Sequence, residues 1–326
     1  MHFVVSRRIV FSLTLGLLIC TGLASPAGAA DKGRTGQEQV SDLVHLNGTR
    51  LNIKAPAGMT KADNFAGFID PNTNASLMVT EMPAPFKQLT EGFTDERLAA
   101  RGMQLVGKQS KEKGEYQGLE VDLTQKLYGT SVKKHVYIFG NDNFSIVATA
   151  TLLEGTPDSI MAKLREAIDS ITIDTTSQPS LDEGLPYKLK ETANLKRATR
   201  LQYTLLFNKA GKTNPPEKGP LFLSSQSIMK VRIEQPDDFA RRRIKDTPYV
   251  KDMEIEKEQD IELSGLKGRK LLARGVDAKT AEKTFVYMIL LFEKDGYYIL
   301  QGISPESMRP IMEKEFDEIS GSFKLL

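Results

Sequence analysis

The chain has 326 residues, 26% of them charged, with 44 basic side chains against 42 acidic ones and a single cysteine. The first thirty residues hold two arginines and no acid, so without them the two signs balance at 42 each, and a balanced chain lacks the concentrated positive surface of a general nucleic-acid binder. Cys20 lies in that same leader, which leaves the rest of the chain no disulfide, no thiol nucleophile and no thiolate metal ligand.

Arg7 and Arg8 precede an apolar run over residues 9–23, and Ala27-Gly28-Ala29-Ala30 follows. A basic start, a short apolar stretch and a small-residue site describe a secretory signal peptide over residues 1–30, cleaved after Ala29 or Ala30. The run is shorter than the roughly 20 apolar residues that cross a bilayer as a helix. The expected mature protein is therefore soluble, not membrane-spanning, and periplasmic or otherwise extracytoplasmic. Ser6-Arg7-Arg8 also fits twin-arginine export, so both export routes stay open. Ile19 is bulky where a lipoprotein box carries a small residue, which argues against lipidation of Cys20.

Residues 31–42 read as a polar, flexible leader. A first domain is expected over residues 43–174, a Ser/Thr/Pro/Gly-rich linker over 175–184, and a second domain over 185–326. Domains of this size bury about 68% of their unfolded surface, so neither needs a disulfide. In the first, a strand at 51–53 leads into the turn Ala55-Pro56-Ala57-Gly58. Strands at 65–69 and 76–82 flank the turn Asp70-Pro71-Asn72-Thr73-Asn74. A helix over 95–103 starts behind Thr94, a hydroxyl N-cap. Leu119, Val121 and Leu123 alternate with polar residues, as a half-buried strand does. Strands at 132–139 and 144–150 form a hairpin. Thr156-Pro157 then announces a closing helix whose apolar stripe is Ile160, Met161, Leu164, Ala167 and Ile168. In the second domain, strands are expected at 201–207 and 221–225 around a loop containing Asn214-Pro215-Pro216-Glu217-Lys218. A hairpin follows at 284–292 and 297–303. Ser304-Pro305 then opens a helix striped by Met308, Ile311, Met312, Glu315, Phe316 and Ile319.

The two lists are similar because parts of the sequence recur. Glu81-Met82-Pro83-Ala84-Pro85-Phe86 returns as Glu234-Gln235-Pro236-Asp237-Asp238-Phe239, an E-x-P-x-x-F pattern 153 positions later. Met103, Gly118 and Val136-Tyr137 return 150 positions on as Met253, Gly268 and Val286-Tyr287. Periods of roughly 20 to 50 residues mark solenoids, so this spacing implies a duplicated domain. Several antiparallel strands followed by an amphipathic helix imply an α+β fold, as two copies of an antiparallel sheet covered by helices. Ala55-Pro56-Ala57-Gly58-Met59, the Glu81 to Phe86 segment, Gly118-Leu119-Glu120, Val136-Tyr137 and the closing segment 156–173 resemble the PsbP-like and DcrB-like superfamily. The resemblance implies a PsbP-like sandwich and a non-catalytic, exported protein that binds or stabilises other proteins. No site residue of the photosystem members maps onto this chain.

Few residues qualify for chemistry. Of the histidines, His45 has no ligand-spaced neighbour, and His135 is replaced by Phe285 at the 150-residue offset, which favours ring packing over proton transfer. Asp70-Pro71-Asn72-Thr73-Asn74 resembles the opening of a calcium loop, but Ala75 stands where that loop requires glycine; an Asx turn accounts for the same residues. No nucleophile elbow, phosphate loop or zinc-protease motif occurs. Glu81 and Glu234, the carboxylates an enzyme would use, belong to the E-x-P-x-x-F pattern. No catalytic, cofactor-binding or metal-binding residue is therefore expected, and no cofactor. The one candidate for partner binding is the basic run Arg241, Arg242, Arg243 and Lys245. It would suit an anionic lipid, a glycan or an acidic protein of the cell envelope, or it is simply a solvated face. The expected function is non-catalytic binding or stabilisation of an envelope component. The alternative is an extracytoplasmic carrier of a small ligand or lipid, with a pocket between sheet and helix.

Overall fold

The computed structural model describes residues 43–127, 130–213, 219–228 and 230–326. The signal peptide, the leader, Cys20 and the Pro-rich loop at 214–218 lie outside the described residues. Two compact units divide between Ser180 and Leu181.

The first unit runs β1 (Leu43–His45), β2 (Leu51–Lys54), β3 (Thr60–Lys61), β4 (Gly67–Ile69), β5 (Ser76–Met82), α1 (Phe86–Thr90), α2 (Asp95–Ala99), β6 (Met103–Ser110), β7 (Gln117–Leu127), β8 (Thr130–Gly140), β9 (Ser145–Leu153), α3 (Asp158–Asp169) and β10 (Thr172–Ile173). Its main sheet has seven strands in the order β3-β4-β5-β9-β8-β7-β6, and every pairing is antiparallel. The second unit runs β11 (Tyr187–Lys188), β12 (Lys196–Leu201), β13 (Thr204–Asn208), β14 (Leu221–Gln226), α4 (Pro236–Lys245), β15 (Val250–Leu263), β16 (Leu266–Asp277), β17 (Lys283–Glu293), β18 (Gly296–Pro305), a 3-10 turn, α5 (Arg309–Gly321) and β19 (Lys324–Leu325). Its seven strands take the order β12-β13-β14-β18-β17-β16-β15, again all antiparallel. The α+β architecture is thus two antiparallel sheets of one strand order, each closed by a helix.

The closure is built alike in both units. The early strand β2 pairs β10, which follows α3, and β11 pairs β19, which follows α5. Ser170, just after α3, accepts from the Lys54 N–H at 2.8 Å and donates to the Ala167 carbonyl at 2.6 Å. Ser322, just after α5, accepts from Lys190 N–H at 2.9 Å and donates to Ile319 at 2.6 Å. Each serine thus links a carbonyl in the last turn of the helix to an amide in or just after the early strand.

Beneath α3, Leu164, Ala167 and Ile168 pack on Leu77, Tyr137, Phe139, Ala148 and Ala150. In the second unit Phe316 of α5 stacks on Phe222 and Phe285 and meets Tyr287. Ala240 and Ile244 of α4 instead join Val286, Met288 and Leu290. Neighbouring strand residues point to opposite faces, so α4 and α5 cover opposite sides of this sheet.

Several expectations need correction. Neither Thr156 nor Ser304 caps a helix. Pro157 itself holds the N-cap of α3 without a side-chain bond, while Ser304-Pro305 still belongs to β18, and α5 begins four residues beyond Pro305 with Pro310 in its first turn. The ladder with β17 extends through Pro305 and outcompetes the cap. Thr94 does accept from the Arg97 N–H, but its helix ends at Ala99 because Gly102, at φ +67°, breaks it and Met103 joins β6. Residues 201–207 are a hairpin rather than one strand: Leu201 pairs Thr204 around Gln202, whose φ is +56°. The long strand β15 has no counterpart among the expected elements, because as a sheet edge it is mostly charged.

The two units match in strand order more closely than in residue spacing. Gly118 lies opposite Phe139, two residues beyond Tyr137, whereas Gly268 lies opposite Leu291, four beyond Tyr287. A two-residue slip keeps a side chain on its face. Both positions need glycine for different neighbours, since a Cβ would sit 1.9 Å from the Lys111 carbonyl oxygen or 2.1 Å from that of Leu290. The E-x-P-x-x-F segments diverge further: Glu81 lies in β5 opposite Ile146, and Glu234 lies outside the sheet.

A Cβ on Gly302 would come within 2.5 Å of the Phe316 ring. Gly302→Ala should therefore cost about 1–3 kcal/mol by overpacking, and Phe316→Ala about 3–5 kcal/mol by leaving a cavity. Urea unfolding monitored by circular dichroism measures both, and a Gly302→Ala variant as stable as the parent would refute the close packing.

Candidate functional site

The basic run forms the last turns of α4. Asp237 and Asp238 stand in its first turn and Arg242, Arg243 and Lys245 in its last, so the charges complement the helix dipole at both ends. Arg241 Nε lies 2.9 and 3.0 Å from the two Glu258 carboxylate oxygens on β15. Arg269 joins Glu258, Asp237 and Asp260 into the same network. Glu258 raises the Arg241 pKa, and hydrogen bonding to Arg241 lowers that of Glu258. Arg241 is thus a clasp between α4 and the edge strand. Arg242 and Lys245 are exposed and Arg243 is half-buried. Ala240 and Ile244, one turn apart, turn the opposite side of the helix into the core. Three of the four candidate residues therefore remain for a partner.

A second constellation lies on the first unit's sheet, under α3. Glu120 and Asp122 stand two apart on β7 and so share a face. Tyr137 and His135 of β8 lie directly opposite them. His135 Nδ1 is 2.9 Å from Asp122 Oδ1, and its Nε2 is 3.7 Å from Glu120 Oε1. Arg165 of α3 donates to the same Asp122 oxygen at 2.7 Å. Lys111 donates to Glu120 at 2.8 Å and to Asp169, at the end of α3, at 2.7 Å. Gln109 completes the set, donating to Glu120 at 2.6 Å. Lys111 also sits 5.2 Å above the Tyr137 ring.

Burial governs the protonation of these groups. His135 is 1% exposed, and desolvation lowers its pKa despite the pull of Asp122 in the other direction. Burial would raise the Glu120 pKa, but Lys111 and Gln109 outweigh it and leave it lowered. Burial pushes the Tyr137 hydroxyl up to about 12. The expectation that His135 is a buried ring holds. The ionisable network around it was missed, although Glu120-x-Asp122 opposite His135 was a readable signal. A general base must reach a substrate proton, and the Nε2 atom is buried beneath α3 with no hydrogen-bond partner. At the corresponding place in the second unit, two residues before its tyrosine, Phe285 packs on Phe316 with the Arg309 guanidinium 4.5 Å over its ring.

The other candidates have structural roles. Asp70 Oδ1 accepts from Asn72 N–H at 2.8 Å and Oδ2 from the Thr73 hydroxyl at 2.8 Å, an Asx turn. Glu81 stands twelfth from Asp70, where a calcium loop places its glutamate. It lies five residues beyond Ser76 along an extended strand, however, and binds Arg50 through both the backbone N–H and the guanidinium. Glu234 is exposed and 3.5 Å from Arg232. His45 is half-buried in β1. Core side chains of α3 in the first unit, and Phe316 in the second, lie between sheet and closing helix, where a carrier would need a pocket. Arg200, 7% exposed, donates to the carbonyls of Gln202, Leu181 and Glu183, which binds the end of the 175–184 segment to the second unit.

No family model matches the sequence, and no curated protein matches it. Among solved structures, LpqN, involved in cell envelope biogenesis of Mycobacterium tuberculosis, is similar at 10% identity over 43% of this chain and 82% of its own, with a TM-score of 0.31. Cyanobacterial PsbP from Synechocystis sp. PCC 6803 is similar at 10% identity over 46% of this chain and 84% of its own, with a TM-score of 0.28. The type VI secretion immunity protein TplEi from Pseudomonas aeruginosa, complexed with a peptide, matches at 11% identity over 83% of this chain and 99% of its own, with a TM-score of 0.30. Similarities this distant carry no statement about function. Among the described residues no helix is long and apolar enough to cross a membrane.

Arg200→Met should strand the carbonyls of Leu181 and Glu183. The expected cost is about 1–3 kcal/mol for buried groups left unpaired, together with faster limited proteolysis between residues 175 and 184. Unchanged urea stability and an unchanged cleavage rate would show that the clamp holds nothing.

Proposed function

We propose that the protein is a non-catalytic, extracytoplasmic binding protein made by tandem duplication of one PsbP-like module, and that it binds or stabilises a protein, lipid or glycan of the cell envelope. The observation that carries this reading is that one strand order and one serine-pinned helix closure occur twice. The ionisable side chains inside both units are committed to each other. Glu120, Asp122 and His135 face Lys111 and Arg165, while Glu315 accepts from Thr192 and Asn194. The leader with Arg7, Arg8 and Ala27 to Ala30 supports export. Arg242, Arg243 and Lys245 supply the cationic contact for an anionic surface.

Photo-crosslinking in the envelope fraction of the native cell, with probes placed along α4, tests the proposal. One defined adduct is expected, weakened by salt as surface electrostatics require and lost in an Arg242→Ala/Arg243→Ala/Lys245→Ala variant of unchanged melting temperature. An adduct that survives the triple substitution removes α4 as the contact. The absence of any adduct, or a cytosolic protein that still carries residues 1–30, overturns the reading as a whole.

A further inference from the structure

The two β7 carboxylates that flank the buried imidazole are also the two through which the closing helix is tied to the sheet of the first unit. Asp122 Oδ1 is shared between His135 Nδ1 and Arg165 of α3. Glu120 Oε1 holds Lys111 Nζ, and that ammonium in turn holds Asp169 at the end of α3. The neighbours of His135 can be named for each element around it. From β7 they are Asp122 and Glu120; from the segment before β7, Lys111; from α3, Arg165 and Asp169. Across β9 the facing residue is the uncharged Ala150. Lys133, two residues earlier on β8, pairs with Asp158 at the start of α3 at 3.3 Å.

We propose that His135 is an acid-sensitive latch, whose protonation loosens α3 from the sheet of the first unit by drawing Asp122 and Glu120 away from Arg165 and Lys111. A carboxylate only accepts hydrogen bonds, so the neutral ring carries its proton on Nδ1 and donates to Asp122. A second proton, taken from water, creates an N–H donor at Nε2. Glu120 Oε1 stands 3.7 Å from it, an oxygen already bonded to Lys111. The new cation also stands close to the Arg165 guanidinium, which bonds the same Asp122 oxygen and repels it.

The direction with pH follows from linkage. Docked, the ring binds a proton less readily than its ordinary value of 6.5, chiefly because it is buried; with α3 undocked it is hydrated and regains that value. The undocked state therefore holds more protons, and docking loses stability as pH falls through 6.5 toward the lowered value. The contribution is complete above 6.5. In the second unit Phe285 takes the place of the imidazole and cannot titrate, so α5 is an internal control.

Hydrogen–deuterium exchange on the full chain from pH 7.5 to 5.0, corrected for intrinsic rates, tests the latch. The protection of the α3 amides should fall as the solution is acidified, by about tenfold for each unit that separates the docked and free pKa values. The amides of α5 should not follow. His135→Phe and His135→Gln should each abolish the fall. Protection of α3 that ignores pH, an equal fall in α5, or the same fall in either variant overturns the proposal. The wild-type protein supplies a reading that needs no variant: the His135 ring proton, followed by NMR, should titrate below 6.5, and a midpoint at or above 6.5 sinks the latch.

Discussion

A seven-stranded antiparallel sheet has two faces to bury, and a chain that ends on a central strand must send a helix back across one of them. That return is the constraint on which both units rest. In each, the last long strand inserts between the third strand and the hairpin partner before it, which places the chain end in mid-sheet. A helix leaving that point lies over the aromatic centre of the sheet, where Tyr137 and Phe139 meet Leu164 and Ile168, and Phe285 and Tyr287 meet Phe316. Its far end is pinned by a serine and a short strand pair, so the helix cannot slide along the sheet.

The two units meet the same constraint with different chemistry. The second is mainly aromatic at the contact, with stacked rings and a glycine at 302 that admits Phe316, beside one ion pair in which Lys270 donates to Asp317 together with Tyr287. The first replaces part of that packing with charge. His135, Asp122, Glu120, Arg165, Lys111 and Asp169 connect sheet to helix through a chain of shared carboxylates. Partly exposed pairs of this kind add little net stability, because solvent screens them. What they add is sensitivity to protons, which rings lack.

The contrast also bears on the surface. A run of four basic residues reads as one feature in a sequence, yet on α4 it separates into an anchor and three projecting groups. Arg241 is held by Glu258 from the neighbouring strand, while Arg242, Arg243 and Lys245 stand in the last turn, the first and last of them exposed. Adjacent helical residues are about 100° apart around the axis, so a short cluster cannot share one role.

The alternation of Leu119, Val121 and Leu123, the two hairpins near residues 140 and 294, the stripe of α3, and Met312, Glu315, Phe316 and Ile319 of α5 were legible from the chain alone, because each depends on neighbours within one or two turns of structure; Met308 precedes α5 and Ile311 is exposed. So was the α+β class, since recurring strands before an amphipathic helix leave few alternatives. Other features depended on partners distant in sequence. Whether Ser304 caps a helix or extends a strand is decided by β17 opposite it. Edge strand β15 keeps its place through pairing with β16, although its own sequence looks like a solvated run. The equal spacing of Gly118 and Gly268 hid a two-residue slip that only the ladder records. The contact of the carboxylates beside His135 with α3 depends on docking in the same way, since Arg165 lies 30 residues after His135. Periodicity reports which side chains turn inward, and the charge each one meets there is set by strand register and helix docking.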